Sequence, residues 1–422
     1  MLQDGWSILP PELQQLLKAH QAELTALSID SLCQDDRKIL STTSDTAANQ
    51  LVRRRCFFAC KGERYDGREA TLKLVLNAHV STDVVMLLIE ADNLTNDVSR
   101  QAKGIYTVPN LSQWLGHIAS RFYGEPSRRL KLIGVTGTNG KTTTTWFIAQ
   151  LAAKLGLKVG IMGTIGYGSI AHLQSQPMTT VDPIALQARL ADFVADGLEI
   201  AAIEVSSHGL VQGRLNGCVF WAAVLTNLTR DHLDYHGTMA DYREAKQRLF
   251  MMPELEHAIV NSDQLELGQQ FLDNTSAATR WCYSTKAQFN QQDAFENIQS
   301  LQLQQDPAGA TFLEFNEQRE PWMHTLIGDF NDQNVLAACA ALESLQIPLA
   351  KLSQAITQLS PPPGRMERIE LPNAALPLVI VDYAHTPDAV AQVLHTLAKH
   401  RVNSVQQLIV VFGCGGNRDA GK

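Results

Sequence analysis

The hydrophobic pattern changes its period many times along the chain, and each change predicts a new element. Short apolar runs, such as the one within Glu199 to Val205, have the length of buried strands. Segments with helix-start signals separate them, for example a helix that Asp182 and Pro183 open and Gly197 ends. This alternation predicts a mostly parallel sheet with crossover helices over about residues 111–359.

The two ends of the chain carry patterns of their own. Residues 1 to about 110 hold short apolar runs among polar turns, which predicts a small α/β domain. The run Pro361 to Gly364 cannot continue a helix or a central strand and marks a boundary. Beyond it we predict a strand at Leu378 to Asp382, a helix opened by Thr386 and Pro387, and a strand at Gln407 to Phe412. The predicted domains are residues 1–110, 111–359 and 360–422, and the last domain is incomplete.

Composition excludes several classes of protein. The 422 residues carry a net charge of −8, which argues against nucleic acid or an anionic membrane as the main partner. No apolar run approaches the roughly 18 residues that a membrane span needs, and the first residues lack a secretory signal. The seven cysteines form neither a disulfide framework nor a metal-binding spacing. We therefore expect a cytoplasmic protein.

The clearest chemical signal is the stretch Gly134 to Thr145, which follows the apolar run Leu130 to Ile133. Glycines between a strand and a helix let backbone N–H groups turn inward and form a phosphate cradle at the helix N-terminus. In such a cradle Lys141 can reach the β- and γ-phosphates, and the hydroxyl of Thr142 can ligate Mg²⁺. Val135 stands where the usual motif has its first glycine, so the motif is the shorter Gly-x-x-Gly-Lys-Thr. A glycine-rich turn without a ligand is the alternative.

Polar side chains gather at the carboxyl end of the predicted strand Glu199 to Val205. Glu204 suits a carboxylate that acts on Mg²⁺ directly or from its second sphere, although a lone carboxylate at a strand end can also be a cap or a solvated group. The next predicted strand delivers Thr226 to His232 to the same edge, where ligands bind in open α/β sheets. Three further polar residues lie within four positions after Glu204 and favour a site: Ser206, Ser207 and His208.

Lys246 is placed by helical spacing on or beside the buried stripe of a helix predicted over Asp241 to Met251. One interpretation is a lysine whose stem is buried while its amine reaches water. The other is an amine of lowered pKa that captures CO₂, giving a carbamate able to sit beside Mg²⁺.

Other candidates rest on single positions. Asn331 is predicted to cap a helix, and Asn334, one turn further, to contact an adenine edge. Asp382 ends a predicted strand at its carboxyl end. In the first domain Ser44 and the turn Gly62 to Gly67 are polar candidates, or else ordinary surface turns.

Together these motifs resemble the Mur ligases, ATP-dependent amide ligases that build the peptidoglycan stem peptide. The resemblance implies an α/β protein of three domains: a small N-terminal domain that holds UDP, a central P-loop ATPase domain with a parallel sheet, and a Rossmann-like C-terminal domain. The segment Gly413 to Asp419 is similar to the branch that adds meso-2,6-diaminopimelate. The resemblance rests on Gly137–Thr142, Glu204–Leu210, Asn227–Gly237, Gly364–Glu367 and Asp382–Pro387.

The resemblance also implies a set of site residues. ATP would be bound by Gly137, Thr138, Asn139, Gly140, Lys141, Thr142, Thr143, Asn331, Asn334, Arg365 and Asp382. The UDP-muramoyl dipeptide would be held by Ser44, Thr179, Thr180, Ser206, Gln212 and Arg214, and the diaminopimelate carboxylate by Arg418. Lys246 would be carbamylated, with Thr142, Glu204 and His232 on Mg²⁺, and Lys141 would act with them in catalysis. The sequence departs from the family pattern at Met178 and, in the uridine motif, near Ser44 and Glu63.

The implied activity is the addition of meso-2,6-diaminopimelate to UDP-N-acetylmuramoyl-L-alanyl-D-glutamate through an acyl phosphate, with ATP as co-substrate and Mg²⁺ as cofactor. A monomer is implied, with no nucleic-acid or membrane partner. The alternatives are a ligase that adds L-lysine, an enzyme like folylpolyglutamate synthase, and a non-catalytic nucleotide-binding form with a shortened last domain. The UDP-binding domain and the run Asp231 to His236 argue against folylpolyglutamate synthase. The Asp-Asn-Pro-Arg motif that reads the amino acid would lie beyond Lys422.

Overall fold

The computed structural model describes residues 31–33, 55–60, 84–91, 99–102, 105–286, 298–369, 377–399 and 407–413. Contacts divide the chain into two compact units. The first unit contains residues 1–126, 182–191 and 212–218, and the second contains residues 127–181, 192–211 and 219–422. The division into three domains that the sequence suggests stays a prediction.

The first unit is built on a five-stranded sheet in the order β1-β2-β3-β5-β4. Its strands pair in parallel except for β4, which runs antiparallel to β5. Helix α1 (Leu111–Phe122) packs against this sheet and buries Leu111, Leu115 and Ala119 in a small core. The apolar runs Cys56 to Cys60 and Val84 to Ile89 thus coincide with β2 and β3. The strands are β1 (Ser31–Cys33), β2 (Arg55–Ala59), β3 (Val84–Ala91), β4 (Ser99–Ala102) and β5 (Ile105–Pro109).

The second unit is organised by an eleven-stranded sheet in the order β16-β15-β14-β13-β12-β11-β6-β10-β7-β8-β9. The run from β7 to β14 in that order is parallel, while hairpins extend the sheet at both edges in antiparallel fashion. The mostly parallel sheet is thus confirmed. The strands are β6 (Lys131–Thr136), β7 (Val159–Gly163), β8 (Gly166–Ser169), β9 (His172–Gln174), β10 (Ile200–Glu204), β11 (Ala222–Leu225), β12 (His257–Asn261), β13 (Thr279–Ser284), β14 (Gln299–Gln305), β15 (Thr311–Phe315) and β16 (Gln318–Pro321).

Helices cover this sheet and close its core. Two of them pack on each other over the central strands, and most residues of both are buried, polar ones at their first turns included. None of the described helices is both long and apolar enough to cross a membrane. The helices after α1 are α2 (Lys141–Lys154), α3 (Pro183–Ala195), α4 (Ser207–Val211), α5 (Leu233–His236), α6 (Met239–Phe250), α7 (Leu265–Asp273), α8 (Asp329–Glu343), α9 (Leu349–Ile356) and α10 (Pro387–Lys399); the mutually packed pair is α2 and α8.

The start of α3 follows its sequence signal. The Asp182 carboxylate accepts a hydrogen bond from the backbone N–H of Ala185 at 3.0 Å, and Pro183 is the first helical residue. Gly197 has a φ of +72°, the left-handed conformation that glycine adopts where a helix ends. Both predicted ends of this helix are confirmed.

The last part of the chain holds the antiparallel pair β17 (Glu367–Ile369) and β18 (Val379–Val381) followed by α10. The strand and helix predicted there are confirmed. The strand predicted at Gln407 to Phe412 is wrong, because these residues belong to no sheet and Val411 is 98% exposed. Within the described part of the chain no strand pairs with this run, and an apolar run without a partner strand cannot satisfy its backbone hydrogen bonds in a sheet.

Candidate nucleotide site

The stretch that sequence analysis singled out is a strand, a tight loop and a helix, as predicted: β6, the loop and α2. Gly137 and Gly140 in the loop have φ values of +145° and +87°. A Cβ atom on Gly137 would lie 1.9 Å from the Thr226 hydroxyl oxygen, and one on Gly140 would lie 2.4 Å from the Asn334 amide oxygen. Both positions therefore require glycine for backbone conformation and for space.

Lys141 begins α2 and folds back over its own loop. Its Nζ donates hydrogen bonds to the carbonyl oxygens of Gly137 at 2.9 Å and Thr138 at 2.8 Å. Burial lowers the pKa of the Lys141 amine; the Glu204 carboxylate opposes this shift and the Arg365 guanidinium adds to it. The amine thus already lies at the loop, where it could exchange these carbonyls for phosphate oxygens.

Lys246, on α6, is only 1% exposed, which confirms its predicted place on the buried side of its helix. Its Nζ donates to the Gly137 carbonyl oxygen at 2.8 Å and lies 4.4 Å from the centre of the Tyr242 ring. Burial lowers the pKa of this amine well below its ordinary value, and the charge of Lys141 lowers it further. Burial favours the neutral form of an amine, and the neutral form is the nucleophile that reacts with CO₂.

Glu204 is the last residue of β10 and lies beside the loop. Only 2% of the residue is exposed to solvent. Its oxygens accept hydrogen bonds from the Thr142 hydroxyl at 3.0 Å, the Thr164 hydroxyl at 3.1 Å and the Thr164 backbone N–H at 2.7 Å. A Cβ atom on Gly163 would lie 2.1 Å from the Glu204 carboxylate. Sequence reasoning missed Thr164, although it directly follows the strand that pairs with β10.

A second loop braces the phosphate cradle from the carboxyl end of β11. The Asn227 side chain both accepts from the Asn139 backbone N–H at 3.0 Å and donates to the Asn139 carbonyl at 3.1 Å. The Thr138 hydroxyl donates to the Thr229 carbonyl at 3.1 Å, and the Thr226 hydroxyl donates to the Asn139 carbonyl at 2.6 Å. Asn227 was not predicted as a site residue, although its place directly after a predicted strand could have indicated it.

His232 lies on this second loop, with Nε2 3.5 Å from an Asp231 carboxylate oxygen and its ring edge-on to His208 at 4.9 Å. Burial lowers the pKa of His232 to about 4 although Asp231 raises it, so the imidazole is neutral near pH 7. Among the described residues, no three His, Cys, Asp or Glu side chains gather into a metal-binding group. The pairing of Glu204 with His232 on a metal therefore stays a prediction.

The two predicted asparagines lie in the first turns of α8. Asn331 is not the N-cap, because the helix already begins at Asp329 after a glycine of φ +101°. The side chain of Asn331 instead donates to the Ile327 carbonyl at 2.8 Å and is buried. Asn334 accepts a hydrogen bond from the Thr144 hydroxyl at 3.3 Å, which ties α8 to α2 beside the loop.

Arg365 and Asp382 reach the same site from the last part of the second unit. The Arg365 guanidinium donates to the Thr142 hydroxyl at 3.3 Å and lies 4.5 Å from the centre of the Tyr383 ring. The Asp382 carboxylate accepts from the backbone N–H groups of Met366 at 2.8 Å and Ala384 at 2.7 Å.

A cavity of about 420 Å³ opens beside the loop and has the size of a small-ligand site. Many of the predicted ATP residues line it: Asn139, Gly140, Thr143, Asn331, Asn334, Arg365 and Asp382. Sequence reasoning missed several other lining residues, including Asn261, Asp263, Gln264, Thr285, Lys286 and Tyr383. Asn261 and Asp263 lie at the carboxyl end of β12, so the same strand-end rule could have found them.

The predicted substrate residues fall into three groups. Thr179, Thr180 and Ser206 lie near Glu204: the Thr180 hydroxyl donates to the Glu204 carbonyl at 3.0 Å and accepts from the Ser206 N–H at 3.0 Å. Gln212 and Arg214 belong to the first unit, where the guanidinium donates to the amide oxygen. The third group, Ser44 and Arg418, lies outside the described residues, as does the candidate turn Gly62 to Gly67.

Comparison with known families gives this fold and site a class. Residues 135–342 match the Mur ligase middle domain, and residues 364–422 match the domain described as "Mur ligase, glutamate ligase domain". The chain belongs to the Mur ligase family, whose members are ATP-dependent ligases that form amide bonds.

Within that family, the similar curated proteins carry the name UDP-N-acetylmuramoyl-L-alanyl-D-glutamate–2,6-diaminopimelate ligase. The protein of that name from Ectopseudomonas mendocina is 38% identical over 98% of this chain and 78% of its own length. The one from Pseudomonas syringae is 44% identical over 75% of this chain, and the match spans 62% of that relative's length. A solved structure of a ligase of this name covers 92% of this chain and 73% of its own, at 32% identity and a TM-score of 0.69.

Proposed function

We propose that the protein joins meso-2,6-diaminopimelate to UDP-N-acetylmuramoyl-L-alanyl-D-glutamate and converts ATP to ADP and phosphate. The observation that carries the proposal is the convergence of three side chains on the Gly137–Thr142 motif: Lys141 and Lys246 contact Gly137, and Glu204 contacts Thr142. This set suits an anionic phosphoryl group and a cation beside it. The name shared by the similar curated proteins supports the choice of substrates.

The reaction would begin with attack of a substrate carboxylate on the γ-phosphate of ATP. Lys141 and the loop N–H groups would neutralise charge as the phosphoryl group passes between the oxygens. The acyl phosphate that forms would then be attacked by the amine of the diamino acid, and phosphate would leave as the amide forms. The protein contributes mainly position and positive charge, which is how phosphoryl transfer is generally catalysed.

The side chains fit a Mg²⁺ ion at Glu204. The buried carboxylate and the Thr142 hydroxyl, 3.0 Å apart, are oxygen ligands of the kind that Mg²⁺ prefers, and His232 offers a neutral ring nitrogen. When bound, Mg²⁺ would supply positive charge at the β- and γ-phosphates. Thr142 and Glu204 would hold it, with His232 as a further proposed ligand.

Lys246 suits carbamylation. Its neutral amine would form an N–C bond with CO₂ and lose one proton, giving an anion at a buried position next to the loop. The amine would give up its contact with the Gly137 carbonyl, and the new carboxylate could then act on the cation. We include this modification in the proposed function.

The remaining predicted residues complete the proposal. Thr179, Thr180 and Ser206 would hold the UDP-muramoyl dipeptide at the edge near Glu204. Gln212 and Arg214 stay predicted contacts of this substrate. Ser44 and Arg418 stay predictions for the uridine and diaminopimelate ends. The monomeric state is also a prediction. We propose the bacterial cytoplasm as the compartment, because the similar relatives are bacterial proteins and the buried thiols of Cys60, Cys218, Cys282 and Cys339 are free.

The test is release of phosphate from ATP in the presence of UDP-muramoyl dipeptide and one diamino acid at a time. We expect turnover that depends on all three substrates and is fastest with meso-diaminopimelate. Fastest turnover with L-lysine would replace the proposed amino acid, and turnover with a folate substrate would replace the proposed acceptor. Nucleotide binding without turnover would support the non-catalytic alternative for this chain.

A further inference from the structure

Thr164 holds the Glu204 carboxylate from two sides. The residue follows β7, and its backbone N–H donates to one carboxylate oxygen of Glu204 at 2.7 Å while its hydroxyl donates to the other at 3.1 Å. The Thr142 hydroxyl donates to that second oxygen as well, at 3.0 Å. Thr164 is therefore the residue that fixes both oxygens, whereas Thr142 fixes one.

Most of the acceptor sites of the Glu204 carboxylate are occupied by these hydrogen bonds. An ionised carboxylate has about four lone-pair directions, and these three donors occupy three of them. The remaining direction lies on the oxygen that the Thr164 N–H contacts. Two of the three donors that orient Glu204 toward a cation thus belong to Thr164 and one to Thr142.

The Thr164 hydroxyl also contacts the loop that precedes α3. Its oxygen lies 3.1 Å from the Thr179 hydroxyl oxygen. Because the single Thr164 proton is given to Glu204, Thr164 can only accept from Thr179, so the Thr179 hydroxyl is the donor. The amide of Gln176 donates to the Thr179 carbonyl at 3.2 Å and to the Gly163 carbonyl at 2.7 Å, which fastens the loop to the end of β7.

We propose that Thr164 is a positioning residue that transmits the place of the Thr179 loop to the Glu204 carboxylate. It acts through Glu204 and contacts no reacting atom. The inference rests on the proposed function, in which Glu204 binds Mg²⁺ and Thr179 binds the UDP-muramoyl dipeptide. Binding of that substrate at Thr179 would then orient the carboxylate for the metal.

The test compares Thr164→Val, which has the same shape but lacks the hydroxyl, with Thr164→Ser, which keeps it. The Thr164 side chain is exposed, so neither change disturbs the core. Calorimetry measures ADP affinity with and without Mg²⁺, a readout that needs no turnover. We expect Thr164→Val to reduce the gain in ADP affinity that Mg²⁺ gives by about tenfold, as loss of a residue that orients a metal ligand does. Thr164→Ser restores the gain, and affinity without Mg²⁺ is unchanged in both.

A second variant tests the transmission itself. Thr179→Val removes the donor to Thr164 without touching Glu204, and we expect it to reduce the Mg²⁺-dependent gain about threefold, less than Thr164→Val does. Thr357→Val is the matched control, because its hydroxyl contacts only the Gln354 carbonyl at the end of α9. A full Mg²⁺ gain in Thr164→Val, or an equal loss in Thr164→Ser, would overturn the inference alone. Absence of any Mg²⁺ gain in the unaltered protein would overturn the proposed function and the inference with it.

Discussion

Lys141 and Lys246 donate to the same acceptor, the carbonyl oxygen of Gly137, at 2.9 Å and 2.8 Å. The two amines share one neutral acceptor at a buried position, so a positive charge on one of them disfavours a positive charge on the other. Burial is the largest cause of the lowered pKa of Lys246, and the neighbouring Lys141 is the next. Converting Lys246 to an anion would relieve this repulsion and would leave Lys141 charged for a phosphate.

Ligation should depend on the Lys246 side chain. We expect Lys246→Ala to lower the rate of ligation at least about a hundredfold, as loss of a charged group at a reacting centre does. A short carboxylic acid such as acetate should restore part of the rate, because it can place a carboxylate where the carbamate would lie. Phosphate release measures both effects. Lys154→Ala, at the exposed end of α2, is the control, and an undiminished rate in Lys246→Ala would remove the residue from the site.

A pair of glycines separates backbone strain from site geometry. Gly140 and Gly156 have similar φ values, +87° and +81°, but a Cβ atom at Gly156 meets nothing within 4 Å. Gly156→Ala should cost about 1–2 kcal/mol of unfolding free energy through backbone strain alone, and Gly140→Ala should cost more, because its methyl group also meets the Asn334 side chain. Only Gly140→Ala should also weaken ADP binding, by more than about tenfold, because its methyl group would displace Asn334. Equal ADP affinity in the two variants, measured by calorimetry, would contradict this account of the loop.

Protonation of His257 should contribute to the pH dependence of the unfolding free energy. Its Nδ1 accepts a hydrogen bond from the Trp281 indole N–H at 3.1 Å, which requires a neutral ring. Burial lowers the pKa of His257; Glu256 opposes this shift and Lys131 adds to it. As pH falls below the ordinary histidine pKa of about 6.5, His257 takes up a proton in the unfolded chain before it does so in the folded protein. The stability that the neutral ring contributes is therefore present above that pH and is lost as pH falls through the folded-state pKa.

The matched variant is His257→Asn, whose side-chain oxygen can still accept from Trp281 but does not titrate. Denaturant unfolding at about pH 7 and about pH 5 should show a smaller loss of unfolding free energy in the variant than in the unaltered protein. Identical losses would mean that His257 has the same pKa in both states.

Even a conservative replacement of Arg365 should weaken nucleotide binding. Its guanidinium both donates to the Thr142 hydroxyl and lies over the Tyr383 ring, and a lysine amine cannot do both in the same geometry. We expect Arg365→Lys to weaken ATP binding about tenfold, which is a loss of about 1.4 kcal/mol. Arg368→Lys, three residues further on and exposed, should bind ATP normally in the same titration. An Arg365→Lys protein with full affinity would show that the ring contact adds nothing.

The parts of the site that were predicted from sequence are those set by local spacing. The loop around Gly137 and the burial of Lys246 follow from neighbours within a few turns of chain, and both are confirmed. Thr164 could not be found this way, because its partner Glu204 is 40 residues away and the contact depends on β7 lying beside β10. Asn331 failed as an N-cap because Gly328 already lets the helix begin earlier.

The central position of β6 has a consequence for motion. This strand lies between β10 and β11 in the middle of eleven strands, so its amide protons can exchange with solvent only when the whole second unit opens. The backbone N–H of the half-buried Ala384, which donates to the Asp382 carboxylate in a loop outside the large sheet, can exchange through small local openings. We therefore expect any local opening that admits a nucleotide to occur on the Arg365–Asp382 side of the cavity. The phosphate loop, which directly follows β6, should stay as rigid as the core of the sheet.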